Sequence, residues 1–230
     1  MERFSQYPKR TCHIHGDYIP FGSVFGRSLG AECPACEREK VIKFMVDRSG
    51  MSKRYLSATF ESYQVTTNEQ RIALAAARDF AAKVLDGDDG HLLMLGMPGT
   101  GKTHLGSAIA LEAMNGGKRA WYATARDVIR EIRSTWNRGS EKTEVQIVNE
   151  FAEVPLLVLD EIGGQVGSDA EIASLFDVLD GRYANQLPSV VISNLGMEDL
   201  KAHLGARLID RLRHHGKVIT MTGESHRKAA

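Results

Sequence analysis

Residues Gly96-Met97-Pro98-Gly99-Thr100-Gly101-Lys102-Thr103 fit the pattern G-x-x-x-x-G-K-[ST] without a mismatch. Glycines let a backbone wrap closely enough around phosphate for successive N–H groups to point inward. Lys102 is then placed to reach the β- and γ-phosphates of a nucleotide, and the Thr103 hydroxyl to take one Mg2+ position. The surroundings suit this chemistry. The apolar run His91–Leu95 precedes the loop, and Thr103–Asn115 follows it with Leu105, Ala108, Ile109 and Glu112 at helical spacing. A helix starting there adds its positive N-terminal end to the phosphate site. A glycine turn that binds nothing is the bland alternative, and it explains neither neighbour.

Two acids stand at the end of a second apolar run, Leu156-Leu157-Val158-Leu159-Asp160-Glu161. Asp160 at a strand tip can hold Mg2+ through water, opposite Thr103. Glu161 is the natural group to orient and polarise an attacking water, a second acid that mere binding does not require. A third apolar run, Val190-Val191-Ile192, ends in Ser193-Asn194, where Asn194 could meet a γ-phosphate or that water. By itself an asparagine in this position is more often a turn former. Further on, Arg207 and Arg211 lie four apart, so a helix over Ala206–Arg213 projects them from one face. A solvated basic face is the ordinary reading of such a pair.

A different chemistry sits at the front. Cys12-x-x-His15-Gly16 and Cys33-Pro34-Ala35-Cys36 form a C-x2-H, x17, C-x2-C arrangement. Each pair can take one edge of a tetrahedral Zn2+, with Gly16 and Pro34 suited to the turns beside the ligands. His13 is an alternative to His15 that breaks the two-residue spacing, and unliganded cysteines near a chain end are the alternative to any metal. Three cysteines do not make a disulfide framework. A segment this short has too little core to fold unaided, so the metal would supply its stability.

The elements that must position these groups alternate. Five segments are predicted as strands of a parallel sheet: His91–Leu95, Arg119–Ala123, Pro155–Leu159, Ser189–Ile192 and Val218–Met221. Helices fall between them, among them Thr103–Asn115, ended by Gly116-Gly117, and Ala170–Leu179. This is an α/β, doubly wound pattern, a parallel sheet flanked by helices. Before it, the chain divides near residues 46–68, where Val46–Lys53 is polar and includes Gly50, as a linker would, and Glu37–Val46 is a short helix candidate. The expected division is therefore 1–45, a zinc module; 46–68, a linker; and 69–230, the nucleotide-binding domain.

Formal net charge is zero, so any nucleic-acid contact must come from a local patch. Residues 1–60 carry ten Lys or Arg against six Asp or Glu, a mild excess that a solvated surface explains as well. There is no apolar run long enough for a membrane span, and the N-terminus is not a signal peptide, so a cytoplasmic site is expected.

From about Val46 onward the chain resembles the DnaC-type helicase loaders of the AAA+ class. The resemblance rests on an ordered set, not on one motif: Arg48-Ser49-Gly50, Thr59-Phe60-Glu61-Ser62-Tyr63, Gly99–Leu105, Leu159-Asp160-Glu161-Ile162-Gly163, Ser193-Asn194-Leu195, Leu204–Leu212 and Ser225-His226-Arg227. It implies an ATP-hydrolysing AAA+ core that binds a hexameric replicative helicase and transfers it to single-stranded DNA. It implies that His104 belongs with the nucleotide-contacting loop, that Asn194 is a γ-phosphate sensor, and that Arg211 is an arginine finger acting across an ATP-bridged oligomer. Arg227 becomes a nucleotide sensor from the same chain. Asp127–Asn149 matches a helical insertion near the DNA path, with Trp136, Asn137 and Arg138 as contacts; a stacking aromatic beside a cation suits single strands. The resemblance also makes the front section the helicase-docking part. Two rivals stay open: an IstB-type transposition helper with the same ATPase, and a nucleotide-responsive adaptor that never turns over.

Overall fold

A computed structural model of the chain describes residues 9–19, 23–24, 27–28, 32–137, 139–163 and 168–223. Arg138 and the Ser225-His226-Arg227 motif lie outside the described residues. The chain divides into two compact units, Met1–Arg48 and Ser49–Ala230.

In the smaller unit, β1 (Arg10–Cys12) pairs antiparallel with β2 (Gly16–Tyr18), and β3 (Ser23–Val24) with β4 (Arg27–Ser28). Helix α1 (Pro34–Asp47) follows, with Cys33 as its N-cap and Pro34 in its first turn. Proline suits that place because its missing N–H would be unpaired there anyway.

The larger unit opens with a 3-10 turn, Lys53–Tyr55, and then α2 (Asn68–Asp86). A reciprocal cap between Thr67 and Gln70 starts α2, and Gly87 in the left-handed region ends it. There follow β5 (His91–Gly96), α3 (Lys102–Asn115), β6 (Ala120–Thr124), α4 (Ala125–Ser134), α5 (Glu144–Glu153), β7 (Leu156–Ile162), α6 (Asp169–Ala184), β8 (Ser189–Ser193), α7 (Met197–Leu204), α8 (Ala206–His214) and β9 (Gly216–Met221). The sheet order is β6-β7-β8-β5-β9, every pairing parallel. The strand before the phosphate loop and the strand bearing the two acids thus flank β8, which brings their carboxyl ends together.

Alternate strand residues serve two layers. Leu93, Leu95, Leu157, Leu159 and Val191 join α4 to α8 in one core. Met94, Val158 and Ile192 face α3, which approaches so closely that a Cβ on Gly106 would stand 2.7 Å from Ile192 Cδ1 and 3.1 Å from Val158 Cγ1. Glycine at that point lets α3 lie against the sheet, and its N-terminus carries Lys102 and Thr103 over the strand ends.

Helix α6 runs five residues beyond the predicted Ala170–Leu179, straight through Gly181. The reason is Arg182, which is fully buried. Its guanidinium donates to Phe151 O at 3.0 Å, Val154 O at 2.7 Å, Ser189 Oγ at 2.8 Å and the Pro188 carbonyl. These bonds tie α6 to the end of α5 and the start of β8. The stretch 46–68 also contributes to packing, since Ala58, Phe60 and Tyr63 are buried in the larger unit. Among the described residues, no helix is long and apolar enough to cross a membrane.

Candidate nucleotide site and metal centre

A cavity of about 340 Å3 opens at the carboxyl ends of β5, β7 and β8. Pro98, Gly99, Gly101, Lys102, Thr103 and His104 of the loop line it, and so do Asp160, Glu161 and Asn194. Gly96 and Met97 do not face this cavity; their carbonyls accept from Lys102 Nζ, both at 2.7 Å. Thr100 is buried beneath the loop and donates to Met97 O at 3.0 Å. Phosphate oxygens arriving at the loop would compete with those two carbonyls for the Lys102 ammonium.

The acids are arranged by a break in the sheet. Pairing of β7 with β8 shifts register between Leu159 and Ile162, and Glu161 sits in the left-handed region at φ 60°. A non-glycine residue there is strained, and such strain gathers where a side chain has to be re-aimed. The outcome is a division between neighbours: Asp160 is buried, whereas Glu161 is exposed to the cavity. Ser193 secures the strand past the break by donating to Ile162 O at 2.6 Å. Thr103 Oγ1 donates to Asp160 Oδ2 at 2.9 Å and the Glu161 N–H to Asp160 Oδ1 at 2.6 Å. A hydroxyl and a carboxylate meeting at that distance are hard oxygen donors placed as a Mg2+ site at a nucleotide requires, so the residues fit the ion.

Sequence reasoning missed the other wall. Arg54, Tyr55, Ser62, Tyr63 and Gln64 complete the cavity. The Tyr63 hydroxyl donates to Thr100 O at 3.2 Å, and His104 Nε2 meets Thr59 O at 2.8 Å and Ser62 Oγ at 3.3 Å. Burial pushes the Tyr63 phenol up to about 12, so it stays a donor. Gly101, at φ 99°, is clamped under this ring: a Cβ there would stand 2.6 Å from Tyr63 Cε2. The polar stretch before α2 is therefore strapped over the phosphate loop. Tyr122 was also missed as a site residue. Its hydroxyl donates to Asp160 Oδ2 at 2.5 Å, and burial followed by the Asp160 charge moves its pKa upward.

The arginine pair does not share one free face as the spacing suggested. Arg207 is exposed, whereas Arg211 is only partly exposed and forms an ion pair with Asp180 of α6. Its guanidinium lies 5.5 Å from the centre of the Tyr183 ring. Helix α8 packs against α6, and that places an acid and an aromatic ring beside Arg211 only. In the insertion, Trp136 is 55% exposed, so it is not a packed core residue, and its indole N–H donates to Glu144 Oε2 at 2.9 Å. Asn137 is exposed beside it.

In the smaller unit, Cys12, His15, Cys33 and Cys36 offer ligand atoms that all lie within 4.8 Å of one another. His13 is not among them. Cys12 Sγ is 3.5 Å from Cys36 Sγ and 3.8 Å from His15 Nδ1, and His15 Nδ1 is 3.3 Å from Cys36 Sγ and 3.8 Å from Cys33 Sγ. Such separations match the edges of a tetrahedron with metal–sulfur bonds of about 2.3 Å. The hairpin β1–β2 supplies one pair of donors and the N-terminus of α1 the other. His15 Nε2 meets Glu39 Oε1 at 3.1 Å, the outer contact that fixes the tautomer and leaves Nδ1 for a metal. Backbone N–H groups of Ile14 and His15 lower the Cys12 thiol to about 6, while the neighbouring Cys12 raises Cys36 to about 11. Crowded thiols of this kind resist a second negative charge unless a cation joins them, which fits Zn2+.

A parallel sheet in this order, a phosphate loop and a strand-tip acid pair together define an AAA+ P-loop nucleotide-binding protein. Residues 39–230 match the IstB-like ATP binding protein family, and the chain belongs to that family. It is 35% identical over 192 residues to the replicative helicase loader DnaC of Escherichia coli (strain K12), covering 84% of this chain and 76% of the relative. With DnaC of Buchnera aphidicola subsp. Baizongia pistaciae (strain Bp) the identity is 32% over 223 residues, 96% of this chain and 89% of the other. A crystal structure of the DnaC helicase loader shares the fold, with a TM-score of 0.67 at 23% identity over 74% of this chain and all of that one.

Proposed function

We propose that this protein is an ATP-hydrolysing loader that places a hexameric replicative helicase onto single-stranded DNA. The observation that carries the reading is the convergence of Lys102, Thr103, Asp160, Glu161 and Asn194 on one cavity, in a chain 35% identical to a DnaC loader. The loop from Pro98 to Thr103 cradles the phosphates, Lys102 leaves the Gly96 and Met97 carbonyls to meet the β- and γ-phosphates, and His104 and Tyr63 hold the loop in shape. Thr103 and Asp160 would hold Mg2+, which when bound would neutralise charge on the phosphates. Glu161, open to the cavity, orients the attacking water and takes its proton. Asn194 bonds the γ-phosphate or that water, and Arg227 answers to nucleotide from the same chain. Arg211 serves the neighbouring subunit of an ATP-bridged oligomer. Trp136, Asn137 and Arg138 form the single-strand contact, with the exposed indole as the stacking surface.

The division of labour follows the two units. Residues 1–45 form a zinc module that docks on the helicase. Residues 46–68 lead on from it and, from Ser49, pack into the larger unit and cover the phosphate loop, and 69–230 form the rest of the ATPase domain. Purified chain should carry one Zn2+, and Cys33→Ser or Cys36→Ser should remove it together with the order of the smaller unit. Metal analysis and amide exchange check this; the ATPase core should melt unchanged, since its hydrophobic cluster is built from residues of the larger unit. Protein purified in reducing buffer without zinc would dispose of the module.

The function itself is tested by offering the full chain the replicative helicase and a transposase from the same host, with and without ATP. Capture of the helicase, and its ATP-dependent delivery onto a single-stranded circle, is the expected result. Capture of the transposase alone would replace the loader with a transposition helper. Delivery without ATP turnover would reduce the protein to an adaptor.

A further inference from the structure

Among the described residues three donors hold Asp160, and two of them belong to motifs visible in the sequence. The Glu161 N–H donates to Oδ1 and Thr103 Oγ1 to Oδ2; the third is the Tyr122 hydroxyl, 2.5 Å from Oδ2. Register explains the reach. On β6 and β7, Tyr122 pairs with Val158 and Thr124 with Asp160, so Tyr122 and Asp160 lie on the same face, two residues offset. That face looks toward α3, which carries Thr103 in its first turn. Tyr122 is 7% exposed, and its own N–H is tied to Ser49 O at 2.6 Å, so both backbone and phenol are fixed.

We propose that Tyr122 is a positioning residue for the magnesium site, its hydroxyl holding the Asp160 carboxylate in the plane that receives the ion beside Thr103. The proposal rests on the reading of this cavity as a Mg-ATP site. A carboxylate has about four lone-pair positions. Here one on Oδ1 goes to the Glu161 N–H and two on Oδ2 go to Tyr122 and Thr103. The Thr103 hydroxyl has lone pairs left to meet the ion while its O–H goes on donating to Oδ2. Tyr122 and the Glu161 N–H hold one oxygen each, so the carboxylate does not turn. Remove the phenol O–H, and Oδ2 loses one of its two donors, so the carboxylate gains freedom about its terminal torsion, which is broad and soft. Ordering it then becomes part of ion binding. Short O–H···O− bonds are also the strong kind, so the loss should be measurable.

The test is equilibrium binding of a fluorescent ATP analogue to the full chain, first in EDTA and then across a Mg2+ titration. Tyr122→Phe keeps the ring but takes a donor from the buried Asp160 carboxylate, so its melting temperature should fall modestly while its affinity in EDTA equals that of the unaltered protein. The Mg2+ concentration that half-tightens binding should rise about five- to tenfold. In an Asp160→Asn background the same substitution should add nothing, because the effect passes through the carboxylate. Tyr122→Leu, which deletes the ring as well, should lower the melting temperature further without raising the Mg2+ requirement beyond that of Tyr122→Phe. An unchanged or lowered Mg2+ requirement overturns the proposal, and so does equal weakening in EDTA or a full effect in the Asp160→Asn background. If the unaltered chain binds the analogue without regard to Mg2+, the magnesium reading falls and the proposal with it. If that linkage is present but survives Tyr122→Phe intact, the proposal alone falls.

Discussion

Glu161→Gln should leave ATP bound and stop its hydrolysis. Glutamine keeps the length and one acceptor oxygen of the glutamate but cannot take a proton from water. The backbone at φ 60° is equally strained for either residue, so the register break and the Asp160 geometry stay in place. Turnover should fall at least about a hundredfold, the ordinary contribution of a positioned general base, while affinity for Mg-ATP stays within about twofold. Lys102→Ala is the contrast. It removes the buried ammonium from the loop, so binding itself should weaken, by roughly tenfold or more for a charge-assisted contact to phosphate. Phosphate release and equilibrium binding, measured on the same preparations, separate the two. Equal loss of both quantities in Glu161→Gln would move that residue from chemistry to binding and leave the water without a base.

The residues that define this contrast were legible because each sits at the end of a continuous apolar run. His91–Leu95, Pro155–Leu159 and Ser189–Ile192 emerge as β5, β7 and β8 with their polar tips at one edge. Parallel strands buried on both faces have little freedom in composition, and that is why they could be read. The register break at Asp160–Glu161 could not. It is a property of β7 against β8, and the run of residues is the same with or without it. The Tyr122–Asp160 bond was hidden for a similar reason: it joins residues 38 apart through a pairing that no local pattern encodes. Residues 46–68 looked like a linker because Ala58, Phe60 and Tyr63 are isolated apolar residues with no periodicity. Their burial comes from folding over a loop that lies far along the chain. At the front, cysteine spacing announced the cluster, but the choice of His15 Nδ1 and the contact from Glu39 needed the α1 geometry.

Arg211→Ala should abolish the hydrolysis that depends on self-assembly while leaving ATP binding by the single chain unchanged. An arginine supplied to a γ-phosphate across a subunit boundary contributes about a thousandfold or more to turnover. In the single chain that arginine is engaged at home, paired with Asp180 and set against the Tyr183 ring. The side chains are 24% and 30% exposed, so the pair is a partly solvated one. Pairs near the surface are worth about 0–1 kcal/mol, a small barrier to handing the guanidinium to a neighbour's phosphate. Arg207, exposed one turn earlier, is the internal control: if it were the finger, Arg207→Ala would carry the loss and Arg211→Ala would not. Mixing decides between neighbour and self. Arg211→Ala has an intact phosphate loop without a finger, and Lys102→Ala has an intact finger without a working loop. Combined, they should recover part of the hydrolysis, because some interfaces then join the intact loop of one chain to the intact finger of the other. A finger serving its own chain permits no such recovery, since every chain in the mixture lacks one half.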